Sequence, residues 1–424
     1  LLGPDSFTPF GKDLLTGQAD MSNLPLSNLQ KLYFANLKKA SGVLESPISP
    51  HISIEDMTSG FRKWKESTTT SPSQRHLGHY KSFLVSDSND TKTEHANFDK
   101  AILQTVNTII NATIASGVPL TRWLTSLVVM IEKIPSVPRI NKLRVINIYE
   151  AEYNLMLKYF WPKQTTKHAV QTKTIGENKR GGVPGGSSNL VALINEFITE
   201  THRLTFHNLV ILQNDAKACF DRIINSHSTL QSCKFEIPDK VCKLHSTTLR
   251  NIQYRVQTAL GIASCHYQNT LKAPAHGSGQ GAGSSCTEWV FISVPMMETL
   301  EQLNKGCIIM SPNNQIVWKK TIIGFVDDKR QYTNDWLNND LTTATTHLQE
   351  AAQGWEHLLH TTGGQLELSK YAWYCITWDF SPDGRPIMKD NNNHSIRIKS
   401  SATSTIVTIK QLPITSSFKY LGVE

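Results

Sequence analysis

Three aspartates carry the clearest chemical signal in this chain. Asp327 and Asp328 close the run Thr321–Arg330, TIIGFVDDKR, whose preceding residues Ile322, Ile323, Phe325 and Val326 are apolar. The pattern predicts a buried strand entering a tight turn with carboxylates at its tip. Ionised carboxylates there are costly unless a cation or hydrogen bonds receive them. A pair this close suits a divalent metal; the bland alternative is an Asp-Asp turn with no chemical role. Far upstream, Asn208–Ile223, NLVILQNDAKACFDRI, reads as a second apolar strand ending in Asp215, with Phe220 and Asp221 following as the chain turns. Two strand-end aspartates in one sheet can converge on two divalent ions, which stabilise the attacking and leaving oxygens of in-line phosphoryl transfer. Mg2+ is the natural occupant, because it takes few carboxylates and keeps positions for water and phosphate.

Between the two strands lies Gly277–Cys286, GSGQGAGSSC, just before an apolar helix. Glycines on both sides of Gln280 let the backbone approach a ligand closely, and the Gln280 amide both donates and accepts. A second Gly-rich stretch, Glu177–Ser188 (ENKRGGVPGGSS), lacks the phosphate-loop spacing and reads as a basic, mobile loop. Farther upstream, Lys142 and Arg144 alternate along KLRVINI. They would present two cations from one strand face, suited to a triphosphate or, alternatively, to keeping a strand edge from aggregating. His76 and His79 lack further ligand candidates nearby and read as part of a basic surface with Arg75 and Lys81.

The elements that must position these residues alternate along the chain. Residues 1–23 are broken by Gly, Pro and Asp and read as poorly ordered. Helical spacing follows in 24–41 (Leu29, Leu32, Phe34, Leu37), in 54–66 and, strongly, in 96–116 (Phe98, Ile102, Val106, Ile110, Ile114). Strands are predicted over 125–133 and 142–148, a helix over 151–161, and another from the Gly-rich loop through His202. Then come a strand over 207–215, a helix over 238–251 and a hairpin about Gly261. A helix over 284–303, a strand 317–326 that turns at the aspartates, a helix over 340–359 and a strand over 371–378 complete the pattern, with short strands after it. Strands and helices mixed with antiparallel hairpins predict an α+β sheet with helices on one face.

The 424 residues are long enough for two or three domains, and 39% hydrophobic content is ordinary for a soluble protein. No run approaches 18 uninterrupted apolar residues, so no membrane span is expected. A net charge of +8 favours a polyanionic partner. The seven cysteines are odd in number and scattered without a C-x-x-C pair, which fits reduced thiols inside a cell, in nucleus or cytoplasm, rather than a secreted disulfide framework. The first residues carry no initiator Met and the last stop inside a strand-like run, so the chain reads as an internal fragment of a longer one.

The order D-x-x-x-x-F-D, G-x-x-Q-G-x-x-x-S, F-x-D-D, G-G-x-L-x-x-x-K and K-Y-L-G closely resembles palm motifs A to E of reverse transcriptases, in the form found in non-LTR (LINE-type) retroelements and group II introns. The phrases RHLGHYK, TTGGQLELSK and SFKYLGV look most like reverse transcriptase frames of diatom genomes. The resemblance implies a right-hand polymerase: an N-terminal extension over 1–53, fingers over 54–205 and a palm over 206–424. Motif A would cover 209–223, motif B 277–290, motif C 322–330, motif D 363–378 and motif E 418–424, with the thumb missing and extension correspondingly weak and poorly processive. It implies Asp215 and Asp327 as ligands of two Mg2+ (or Mn2+) ions, Asp328 as a weaker third carboxylate and the Ala216 carbonyl completing one shell. Phe220 would be the steric gate against a 2′-OH, Gln280 and Gly281 would contact the nucleotide and template, and Lys370 would protonate the leaving pyrophosphate. Lys133, Lys142 and Arg144 match the fingers positions that meet the dNTP. Partners implied are an RNA template, a DNA or RNA primer and dNTPs, with no membrane.

Departures from the family pattern are Cys286 and Val145 where proline is usual, and Val326 where alanine is common. They change packing rather than ligands. Two other readings stand beside RNA-directed DNA polymerase: a viral RNA-dependent RNA polymerase, against which Phe220 and Gln280-Gly281 argue, and a non-catalytic nucleic-acid-binding remnant of a retroelement.

Overall fold

The computed structural model describes residues 7–65, 71–84, 94–137, 139, 142–270, 272–303 and 305–416. The fold is mixed α+β. It comprises two compact units interleaved along the sequence: one of the residues up to Gln18, Lys39–Gln171 and Ile223–Glu288, the other of Ala19–Lys38, Thr172–Arg222 and Trp289 onward. Among the described residues no helix is long and apolar enough to cross a membrane. The predicted fifth motif, 418–424, lies outside them.

The first unit is built on a sheet in which Thr125–Glu132 pairs antiparallel with Leu143–Ile148 and parallel with Gln253–Thr258. The hairpin predicted about Gly261 turns instead at Ala259-Leu260, and Gly261 pairs with Thr258. The strongly periodic helix is present as Glu94–Ser116. It stops at Gly117, whose φ of +70° is open to glycine and where a Cβ would lie 2.9 Å from Lys243 Cδ. Residues 9–16, expected to be poorly ordered, form a helix instead. Thr8 caps it by accepting from Gly11 N at 3.1 Å, Pro9 opens it, Gly17 at φ +77° closes it, and Leu14 and Leu15 are buried. These are ordinary helix-boundary signals in a segment that the Gly and Pro content had made look irregular.

The second unit holds a sheet ordered Ile396–Lys399, Ile406–Gln411, Ala372–Phe380, Leu209–Asn214, Asp328–Thr333, Ile322–Phe325, with Pro386–Asp390 also on Ala372–Phe380. Leu209–Asn214 lies centrally, antiparallel to both neighbours, and all six of its residues are buried. Leu209 and Ile211 pack with Val191 and Ile198 of the helix Ser188–Thr205. On the opposite side lies the helix Leu341–Thr361: Thr333 Oγ1 donates to Ala344 O at 2.7 Å and Gln331 Nε2 to Ala351 O at 3.2 Å. Helices therefore cover both faces at the sheet centre, not one as predicted. The run LVIL is apolar in both parities and buries both sides, each Leu or Ile contributing about 1.5–3 kcal/mol.

Two further expectations change. The strand predicted over 317–326 is two strands in different sheets, Val317–Lys320 paired with Cys307–Met310, and Ile322–Phe325. Between them the Thr321 N–H donates to Glu301 Oε1 at 2.9 Å rather than to a ladder partner. The Gly-rich segment 177–188, expected to be mobile, is tied to the sheet edge at its start. Arg180 N donates to Gly324 O, and Gly324 N to Asn178 O, each at 2.9 Å.

Candidate active site

The second unit brings the three sequence-predicted aspartates to one end of its sheet. The pairing Lys329↔Asn214 and Arg330↔Gln213, carried one step further, sets Asp328 opposite Asp215. Directly opposed residues of antiparallel strands share a face. Asp328 pairs with Phe325, so the turn consists of Val326 and Asp327. The aspartates thus do not form the turn together: Asp327 sits in it and Asp328 opens the next strand.

That turn is unusually constrained. Val326 has φ +50°, a left-handed conformation that a β-branched residue rarely adopts. Its carbonyl accepts three side-chain donors: Trp289 Nε1 at 2.8 Å, Lys179 Nζ and Lys329 Nζ. Gly181 packs on its other side, where a Cβ would fall 2.2 Å from Val326 N.

Asp215 is 9% exposed, ion-paired to Lys370 through Oδ2, with Oδ1 buried and unpartnered. Burial raises its pKa, opposed by Lys370 and reinforced by Asp327. Asp328 is pushed up to about 6, first by burial, then by Asp327 and Asp215. Lys370 is raised by its bond to Asp215. Burial, followed by the neighbouring Lys329, holds the Lys179 amine well below the ordinary lysine value, and burial lowers Lys329 too. The loop that carries Lys370 is laced to the strand end, with Lys217 N donating to Gln365 O at 2.7 Å and Glu367 N to Asp215 O at 3.0 Å. Phe220 follows, half-buried, in the short helix Cys219–Arg222.

Asp328 supplies a test of this electrostatic picture. Its folded pKa lies above the unfolded value of 3.8, so the folded state holds the proton more tightly and stability falls as pH rises from that value to about 6. Asp328→Asn is expected to abolish this dependence and, without divalent ions at pH 7, to stabilise the protein by about 1 kcal/mol once partial exposure is discounted. Urea unfolding in chelator at pH 4 and pH 7 measures it. An unchanged pH dependence in the variant would show that the folded state does not hold the Asp328 proton more tightly.

The donor set suits a hard divalent cation. An orphaned carboxylate oxygen on Asp215 and mutual repulsion raising Asp328 are what bound positive charge would relieve. Among the described residues no three His, Cys, Asp or Glu side chains gather round a single point. An ion here would be held by Asp215 and Asp327, with the Ala216 carbonyl and Asp328 as further oxygens and water or phosphate filling the shell, the pattern Mg2+ favours.

The remaining predicted residues lie in the first unit. Lys133, Lys142 and Arg144 are exposed on the hairpin of Thr125–Glu132 and Leu143–Ile148, with Lys133 N donating to Lys142 O at 3.0 Å and Arg144 opposite Ile131. Farther along that hairpin the Asn147 N–H donates to Gln280 O at 2.7 Å, and Tyr149 OH donates to Ser278 O at 3.1 Å. Gly279 (φ +77°) and Gly281 (φ +119°) lie so close that a Cβ would fall 2.5 Å from Tyr149 Oη and 2.4 Å from Asn147 O respectively. The glycines flanking Gln280 therefore lie against this chain's own residues, Gly279 against the Tyr149 and Asn147 side chains and Gly281 against the Asn147 backbone, and a cleft of about 170 Å³ lined by Ile146, Asn147, Lys158 and Gly281 opens beside them. Lys158 packs against Gly283 and places its Nζ 4.1 Å from the Trp64 ring centroid. His76 caps a short helix, its Nδ1 accepting from Gly78 N at 3.0 Å.

Sequence reasoning missed Lys179, Lys329 and Trp289. Lys179 sits in a segment whose composition signals only a loop; Lys329 stands beside the aspartates but nothing along the chain marks it as buried. Compared with known proteins, the chain matches no family model and no curated protein.

Proposed function

We propose that this chain is an RNA-directed DNA polymerase of the non-LTR retroelement type, adding dNTPs to a primer 3′-OH. The observation that carries the reading is the convergence of Asp215, Asp327 and Asp328 at one end of adjacent antiparallel strands. The motif order along the chain supports it. In this reading the sheet around Leu209–Asn214 is a polymerase palm and the basic hairpin belongs to the fingers.

Divalent cations on Asp215 and Asp327 would polarise the reacting phosphate and offset charge developing on its oxygens. The chain's own residues position and neutralise. Asp215 and Asp327 would hold the ions between them. Lys142 and Arg144 offer cations to a triphosphate. Lys370, held protonated by Asp215, would be the group that gives a proton to the departing pyrophosphate. Phe220 bars a 2′-OH. Little covalent work falls to the protein, as is general for phosphoryl transfer. The net charge of +8 suits a template–primer held through its phosphates, hence with affinity that falls as salt rises.

Extension of a primed RNA template by dNTPs with Mg2+ tests the reading. Preferential use of rNTPs would favour an RNA-directed RNA polymerase, and binding without extension a non-catalytic remnant. Phe220→Ala is expected to raise rNTP relative to dNTP incorporation roughly tenfold, as loss of a steric filter does. Unchanged discrimination would remove Phe220 from that role.

A further inference from the structure

We propose that Lys179, Trp289 and Lys329 form a clamp on the Val326 carbonyl that positions Asp327, with Lys179 as its sequence-distant arm. The inference rests on the reading of Asp215 and Asp327 as cation ligands.

Val326 stands in a conformation costing about 1–3 kcal/mol, which persists only where surroundings over-determine it. The surroundings here do so from three directions, because one carbonyl oxygen takes donors from the helix at Trp289, from the strand at Lys329 and from the tied loop at Lys179. Lys179 is 2% exposed and Lys329 0%. Burying two lysines is costly, and the Val326 carbonyl with the nearby Asp327 charge offsets only part of it, since burial still holds both amines below the ordinary lysine value. The loop is built for this delivery, since Asn178 and Arg180 bond Gly324 on either side of Lys179, aiming its side chain under the turn. Lys320 Nζ donates to Asn178, and Asn178 Nδ2 donates to Glu301 Oε1 at 2.9 Å, so the arm has its own support. Gly181 lets the loop lie against Val326 N. Rotating the Val326 peptide would swing the Asp327 backbone with it, since the carbonyl belongs to the bond joining the two. Lys179 is therefore a positioning residue: it touches no reacting atom and acts through Asp327.

The test compares Lys179→Met with the unaltered chain and with Asp215→Ala. Mn2+ affinity of the protein alone is read by electron paramagnetic resonance, alongside the melting temperature and steady-state extension of a primed RNA template. Outer-shell supports of metal ligands cost 10–100-fold when removed, so Lys179→Met is expected to weaken Mn2+ binding about tenfold or more. kcat should fall by a similar factor while KM for dNTP stays within about threefold, because the change acts at Asp327 and not at a group that binds the nucleotide. Wild-type Mn2+ affinity and kcat in a folded Lys179→Met protein would overturn the clamp and leave the polymerase reading standing. If Asp215→Ala binds Mn2+ and extends primers like the unaltered chain, the reading of the site itself fails, and the clamp with it. Should Lys179→Met not fold, Trp289→Phe removes one donor and keeps the ring; unchanged Mn2+ affinity there overturns the proposal equally.

Discussion

Asp327→Ala is expected to lower primer extension about a thousandfold, since a metal ligand at a transferring phosphoryl group supplies several kcal/mol of charge stabilisation and each 1.36 kcal/mol is a factor of ten. Asp215→Ala should do the same. Neither should unfold the protein. Asp327 lies in a turn, and Asp215 is a buried carboxylate whose ionised form is disfavoured by burial and by Asp327. Removing Asp215 also frees Lys370, an exposed lysine that returns to water at little cost. Asp328→Ala is expected to be milder, by one to two orders of magnitude in rate. Asp328 is the carboxylate pushed up to about 6, and so a weakened anion near neutrality. Single-turnover extension of a labelled primer on RNA, with circular dichroism to check folding, measures all three. Extension at the unaltered rate in Asp215→Ala and Asp327→Ala would refute the metal-site assignment.

The second large effect is expected on stability, in the other unit. Tyr153 OH bonds His245 Nδ1 at 2.7 Å, His245 Nε2 meets Glu288 Oε1 at 3.2 Å, and Ser228 Oγ donates to Glu288 Oε2 at 2.7 Å, all of them buried. Burial pushes the Glu288 carboxyl up, but His245 and its hydrogen bonds outweigh burial and leave it below the ordinary glutamate value. His245→Ala strands a buried carboxylate, and breaking such a pair costs about 3–5 kcal/mol. The pH dependence follows from the sign of the shift. With a folded pKa below the unfolded 4.5, Glu288 contributes stability that is present above that value and lost as pH falls through the folded one. In His245→Ala the unpaired carboxylate takes up a proton readily, so the gap between variant and unaltered protein should narrow in acid. Urea unfolding at pH 7 and pH 4 reads both. A variant as stable as the parent at pH 7 would mean that water, not His245, satisfies Glu288.

Much of the candidate site is legible in sequence because its signals are local. An apolar run ending in Asp215, another ending at Asp327 and the glycines round Gln280 each announce a strand end or a close approach by residue type alone. What the glycines approach is not local: Gly279 and Gly281 press on Tyr149 and Asn147, more than a hundred residues away, where a reading from composition expects a ligand. The segment 177–188 fails for a related reason. Its glycines describe backbone freedom, yet hydrogen bonds of Asn178 and Arg180 with Gly324 pin the residues just before them once the sheet exists.

By itself the sequence determined most of the element types and the carboxylates at strand ends, since these follow from period and side-chain volume within a few residues. Only the tertiary structure decided that Asp327 occupies the turn while Asp328 opens the next strand opposite Phe325, because register belongs to a pair of strands and not to either one. It alone decided that Lys179 and Lys329 are buried beneath that turn, since a lysine reads as surface until the fold brings a carbonyl and a carboxylate to it.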